Sequence, residues 1–169
     1  MAKRSTLQRS GQAMFYNFLI NEVLASQTHA GYQFWIVAPW ITNFPLPAPY
    51  HVSFAEIIAI RHNVLHLFDV LRQMAANGGE VSITVGSDTR FHQELRYLSE
   101  RSHRIAVRVL PKLHTKAYAG YYGALDGSLN LTDSGVNQNV ELYTYYHDAR
   151  NIAQLQQVCR EHFVRAEVL

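Results

Sequence analysis

Three short runs constrain the fold more than anything else in this chain: QFWIVAP from residue 33, EVSITVG from residue 80 and IAVRVL from residue 105. Each has strand length and is rich in β-branched or aromatic residues. The first is apolar from Phe34 to its stop at Pro39, as a buried strand is. Longer segments of helical character separate the three. Residues after 113 read as strands in closer succession. Strands alternating with helices, then strands alone, predict an α/β fold: a mixed β-sheet flanked by helices on both faces.

The intervening segments carry their own signals. Residues 6–26 read as a helix with Leu7, Met14, Phe18 and Leu24 among its buried positions. WITNFPLPAPYH, with three prolines, reads as an irregular loop. Ser53 as N-cap with Glu56 three residues on predicts a capping box opening a second helix. That helical pattern runs to Asn77-Gly78-Gly79, with a break around Arg61–Asn63. Asp88 or Thr89 caps RFHQELRYLSER. Strands are predicted over Thr115–Gly120, Gly123–Asp126 and Val140–Tyr146, and Asp148 caps a closing helix over 149–165.

At 169 residues the chain is expected to be one domain with a sizeable core. With 48% hydrophobic and 17% charged residues it has the make-up of a globule, not of a disordered tail. A net charge of +2 permits nucleic acid as a partner without requiring it. Cys159 is the single cysteine, which rules out an intrachain disulfide and a cysteine-based zinc site. A reducing compartment, the cytoplasm, is the simplest home. The N-terminal residues read as an amphipathic helix rather than a signal peptide, and no apolar run reaches the ~18 residues of a membrane span.

The chemistry concentrates between His114 and Glu141. His114 and Lys116 are two apart, so on a strand they share one face and Thr115 takes the other. A neutral imidazole can attack phosphorus, and an ammonium can stabilise the charge that gathers on the non-bridging oxygens. Gly127 permits close backbone approach, and Ser128 and Asn130 add neutral donors. A carboxylate such as Glu141 could accept the second imidazole N–H and fix its tautomer. His-x-Lys alone occurs often by chance, and Gly-Ser-x-Asn alone reads as a turn with a cap; the order and spacing together are far more specific.

That combination resembles the phospholipase D superfamily, whose signature is His-x-Lys followed by Gly-Ser-x-Asn and a glutamate fourteen positions after the glycine. The matching residues are His114, Lys116, Gly127, Ser128, Asn130 and Glu141. Leu131, Thr132, Gly135 and Asn139 fit its common extension, and FWIVAPWIT looks like the first core strand. Two positions depart. The motif's aspartate falls at Tyr121, and the gap to Gly127 is one residue short. Asp126 is a candidate replacement, although a strand residue before a glycine is the plainer account of it. The resemblance implies a phospholipase-D-like domain and a two-step phosphodiesterase reaction needing no metal or other cofactor. One His attacks phosphorus, and a second protonates the leaving oxygen. With a single His-x-Lys in the chain, it further implies a twofold homodimer in which two copies of His114 meet. Compact members of this kind include bacterial nucleases and the DpdK-like proteins of DNA 7-deazaguanine modification islands, whose strand–Pro–Trp–Ile opening and shortened gap are similar.

Other residues admit a role and a plainer account side by side. The aromatic, proline-rich loop at Trp40 could wall a site or stack a base, or simply pack. Arg90 and His92 follow a strand end and could reach phosphate, or face solvent. Lys3, Arg4 and Arg9 could contact a nucleic-acid backbone, or belong to a frayed terminus. His62 and His66 have i, i+4 spacing but lack the glutamate of a His-Glu-x-x-His zinc site. Tyr118, Tyr121 and Tyr122 fit strand packing or a dimer interface. The sequence thus predicts a homodimeric nuclease acting on DNA. Its alternatives are an inactive DNA-binding subunit of a DNA-modification or restriction assembly, and a phospholipid hydrolase.

Overall fold

A computed structural model describes residues 3–5, 8–60 and 62–169, with side chains from residue 11 onward. Leu7 and the side chains of Lys3, Arg4 and Arg9 lie outside the described residues. The elements run β1 (Lys3–Ser5), α1 (Gln8–Thr28), β2 (Gln33–Ala38), α2 (Ala48–Ile57), α3 (Leu67–Ala76), β3 (Glu80–Val85), α4 (His92–Glu100), β4 (Ile105–Val109), β5 (Ala117–Ala119), β6 (Ala124–Gly127), β7 (Tyr143–Tyr146), α5 (Ala149–Arg165) and β8 (Glu167–Val168). A 3₁₀ turn (Thr89–Phe91) precedes α4, and a π-helical turn (Ser134–Gln138) follows β6.

The strands form one mixed sheet in the order β1-β7-β6-β5-β2-β3-β4-β8. β2, β3 and β4 are parallel. β2 pairs antiparallel with β5, and β5, β6 and β7 continue antiparallel. The uninterrupted apolar run of β2 therefore sits at the centre with both faces covered, as its composition demands. Phe34 and Ile36 face a core shared with α1, α3 and α4, where Phe18, Val70 and Leu95 are buried. Trp35 and Val37 face α5 through Ile152, Leu155 and Cys159. Helices cover both faces, as expected.

The second helix departs from its expected start. Ser53 and Glu56 lie inside α2, which is capped six residues earlier at Pro47 and has proline in its first turn. There a missing N–H costs nothing, because it would have no intrahelical partner. The expected break is wider than three residues and leaves α3 separate. The capping box forms at α3 instead, between His66 and Asp69. His66 is therefore an N-cap, and His62 lies outside both helices with Nδ1 3.2 Å from Asp69 Oδ2. The helical i, i+4 pair does not exist, and among the described residues no group of three or more His, Cys, Asp or Glu could hold a metal. Helix α3 ends where predicted, on the paired bonds Gly78 N to Ala75 O and Gly79 N to Met74 O, both 3.0 Å. Of the expected buried positions in α1, Phe18 is buried, Met14 is partly buried and Leu24 is 39% exposed.

Candidate active-site cleft

The topology brings the motif residues to one end of the sheet. β2 and β3 finish there, leading into Pro39–Trp40 and Gly86–Asp88. β5 runs antiparallel to β2 with Val37 opposite Ala117, so Lys116 immediately precedes β5 beside the end of β2. β6 runs back with Ala117 opposite Asp126, and Gly127 N reaches Lys116 O at 3.3 Å. β7 begins opposite Gly127, which delivers Glu141 and Leu142. A cleft of about 290 Å³ opens here, lined by Trp40, Asp88, Lys112, His114 and Lys116 among others.

His114 and Lys116 share this cleft, while Thr115 turns away to His162 Nε2 of α5 at 3.0 Å. Both lie just before β5 rather than in it. The His114 imidazole is exposed and has no side-chain partner among the described residues. Lys116 Nζ donates back to the His114 carbonyl at 2.9 Å. Lys112 also lines the cleft, although it lies outside the motif. It is the one non-glycine at positive φ among the described residues, 59°, and such strain gathers at functional sites.

Gly127 is needed for its shape. Its φ is +149°, and a Cβ would lie 2.3 Å from Leu142 O. Ser128 N then donates to Leu142 O at 2.9 Å, and its Oγ accepts from Leu142 N at 3.1 Å. The Ser128 hydroxyl proton goes to Glu141, so this side chain orients a carboxylate. Glu141 takes a second bond from Asn139 Nδ2 at 3.3 Å and has no bond to His114, the imidazole it could have oriented by its chemistry. Asn130 Oδ1 is buried without a partner among the described residues; such an atom normally meets a donor. Gly135 packs against this residue, its absent Cβ 2.4 Å from Asn130 O.

Trp40 is 46% exposed and lines both this cleft and a second one, of about 520 Å³, that also holds Arg90, Phe91 and Thr132. Thr42 N donates to Leu131 O at 2.8 Å, tying the Trp40 loop to the Gly127–Asn130 segment. Arg90 is at the rim, bonded to Asp88 at 2.5 Å. That bond holds the Asp88 carboxyl below its usual range, and Arg90 stands partly neutralised. His92 is largely buried, with Nε2 2.8 Å from Gly86 O, and it lines a separate pocket with Arg72 and Tyr97 rather than the cleft of His114.

Tyr121 is at the other end of β5, in the turn to β6, half exposed and packed on His29 at 3.7 Å between ring centroids. A carboxylate is present at this turn nonetheless. Glu22 of α1, fully buried, accepts from the backbone N–H groups of Tyr121 (2.7 Å), Tyr122 (2.8 Å) and Gly123 (2.9 Å). Nothing in the spacing of the motif points to a residue about a hundred positions away. Asp126 is an ordinary strand residue bonded by Tyr146 Oη at 3.3 Å, and Tyr118 is buried with its hydroxyl on Leu129 O.

No protein-family model matches the sequence, and no curated protein sequence does. Solved structures do match. NucT from Helicobacter pylori superimposes with a TM-score of 0.66 at 15% identity over 100% of both chains. Nuc from Salmonella typhimurium, a phospholipase D family member, does so with a TM-score of 0.64 at 12% identity over 100% of this chain and 96% of its own. The fold is phospholipase-D-like. TrmBL2, an archaeal chromatin protein, matches with a TM-score of 0.60 at 11% identity over 99% of this chain, which spans 54% of TrmBL2. The same fold is thus found in a phospholipase D family member and in part of a DNA-binding chromatin protein.

Proposed function

We propose that this chain is a phosphodiesterase that cleaves nucleic acid, DNA first, without a metal ion. The reading is carried by the meeting of exposed, unpartnered His114 with Lys116 and Trp40 in one cleft, at the strand end where Gly127 bonds Lys116 O. His114 attacks phosphorus and forms an N–P bond as the bond to the leaving oxygen breaks. A second imidazole donates the proton to that oxygen, then takes one from water, which attacks phosphorus and frees His114. The chain has one His-x-Lys, so the second imidazole is the partner's His114 in a twofold dimer. Lys116 and Asn130 hold the phosphate oxygens, Ser128 and Glu141 brace one another beside them, and Trp40 and Arg90 receive the flanking nucleotide. The DpdK-like placement is supported by the sequence pattern, and its test is cleavage of 7-deazaguanine-containing DNA.

A second reading is a DNA-binding subunit without turnover. Tyr121 at the motif's aspartate position and the likeness to a chromatin protein favour it. One experiment separates the two: cleavage of a labelled oligonucleotide and of bis(p-nitrophenyl) phosphate in EDTA, with acid trapping of phosphohistidine. The enzyme reading expects EDTA-resistant turnover that falls about 10³-fold or more in His114→Ala. Salt-dependent oligonucleotide binding with no turnover overturns it in favour of the second.

A further inference from the structure

We propose that Glu22 is the positioning carboxylate of this site: from α1 it locks the β5–β6 turn in the register that sets His114 and Lys116 against Gly127 and Ser128. Glutamate is rarely buried outright unless paired. Glu22 is 0% exposed, and among the described residues no cation pairs with it. Its partners are four donors, the three turn amides and Tyr32 Oη at 3.0 Å. Each oxygen takes two: Oε2 from Tyr121 N and Tyr32, Oε1 from Tyr122 N and Gly123 N. The turn is built around this group. Gly120 N closes the hairpin on Gly123 O at 3.0 Å, and a Cβ on Gly120 would lie 2.0 Å from Glu22 Oε2.

Stability alone does not call for such a group. The side chains of Tyr121 and Tyr122 are about half exposed, and water serves turn amides at a surface without the cost of burying an acid. Burial pushes the Glu22 carboxyl above its usual range despite its four donors. The return is register. The two strands of this hairpin carry the two halves of the motif, and a one-residue slip would turn every side chain on one of them to the opposite face. Lys116 O would then lose Gly127 N, and Ser128 would be displaced from its place beside the start of β5. The spacing of the motif asks for a carboxylate at position 121; here a different element supplies it.

The proposal rests on the phosphodiesterase reading for its kinetic arm only. Glu22→Gln keeps the shape but sets an NH₂ among N–H donors, and Tyr121→Asp in that background returns a carboxylate to the turn. Both are compared with wild type by turnover of bis(p-nitrophenyl) phosphate and by the amide resonances of His114, Lys116, Gly127 and Ser128. A misplacement on the order of 1 Å lowers rates about 100-fold, so Glu22→Gln should lose about 100-fold in kcat with KM nearly unchanged and shift all four resonances. The double variant should recover both. A folded Glu22→Gln with wild-type resonances overturns the proposal, whether or not the wild type turns over. If the single variant does not fold, the double decides: wild-type resonances support the proposal, and displaced ones or no fold overturn it. A wild type with no turnover but shifted resonances in Glu22→Gln defeats the enzyme reading and leaves the positioning role standing.

Discussion

Among single residues, the His114–Lys116 pair of the cleft was legible, and Lys112 beside it was not. His114 and Lys116 share a side because i and i+2 do so on any extended chain, and Thr115 turns to α5 for the same reason. Glu141 was assigned to the imidazole by its chemistry alone. Its neighbour Ser128, fourteen positions from Leu142, takes it instead through the hairpin contact of the two segments, and a linear motif does not encode that contact. Trp40 was readable as an aromatic near a strand end; only the structure puts it between two clefts. Stacking of a base on an aromatic ring contributes about 1–3 kcal/mol. Trp40→Ala should therefore weaken binding of a short oligonucleotide about tenfold or more in a fluorescence titration. An unchanged Kd would remove Trp40 from the substrate path.

At the scale of elements, caps were read better where they stand alone than where prolines compete with them. Asp148 caps α5 as expected, its side chain accepting from Asn151 N at 3.0 Å. Ser53 has the right chemistry to cap α2, yet Pro47–Pro49 start that helix earlier because proline is pre-set for a first turn. The Asp148 cap has a pH signature. Bonding from the Asn151 side chain, then from its backbone, holds the Asp148 carboxyl below 3.8. A folded-state value below the unfolded one means the cap stabilises above 3.8 and loses that effect as pH falls through the lowered value. Asp148→Ala should lower the melting temperature by a few degrees at neutral pH. The difference should close in strong acid, and a pH-independent difference would assign the loss to packing.

For the whole molecule, a single His-x-Lys makes a two-histidine reaction a property of two chains. The protein should sediment at twice 19.3 kDa. After subunit exchange with an equal amount of His114→Ala, activity should fall to about a quarter of the undiluted wild type, because a mixed dimer has one imidazole. A fall to one half would mean that each chain works alone. The sequence by itself determined the α/β class, the central buried strand, the closing helix and the pair His114–Lys116, since each depends on the period or composition of neighbouring residues. The tertiary structure decided what depends on residues far apart in the chain. Ser128 holds Glu141, Trp40 divides two clefts, and the carboxylate absent at Tyr121 arrives from Glu22. A hydrogen bond across the sheet is fixed by strand register and helix packing, and neither has a local signature in the chain.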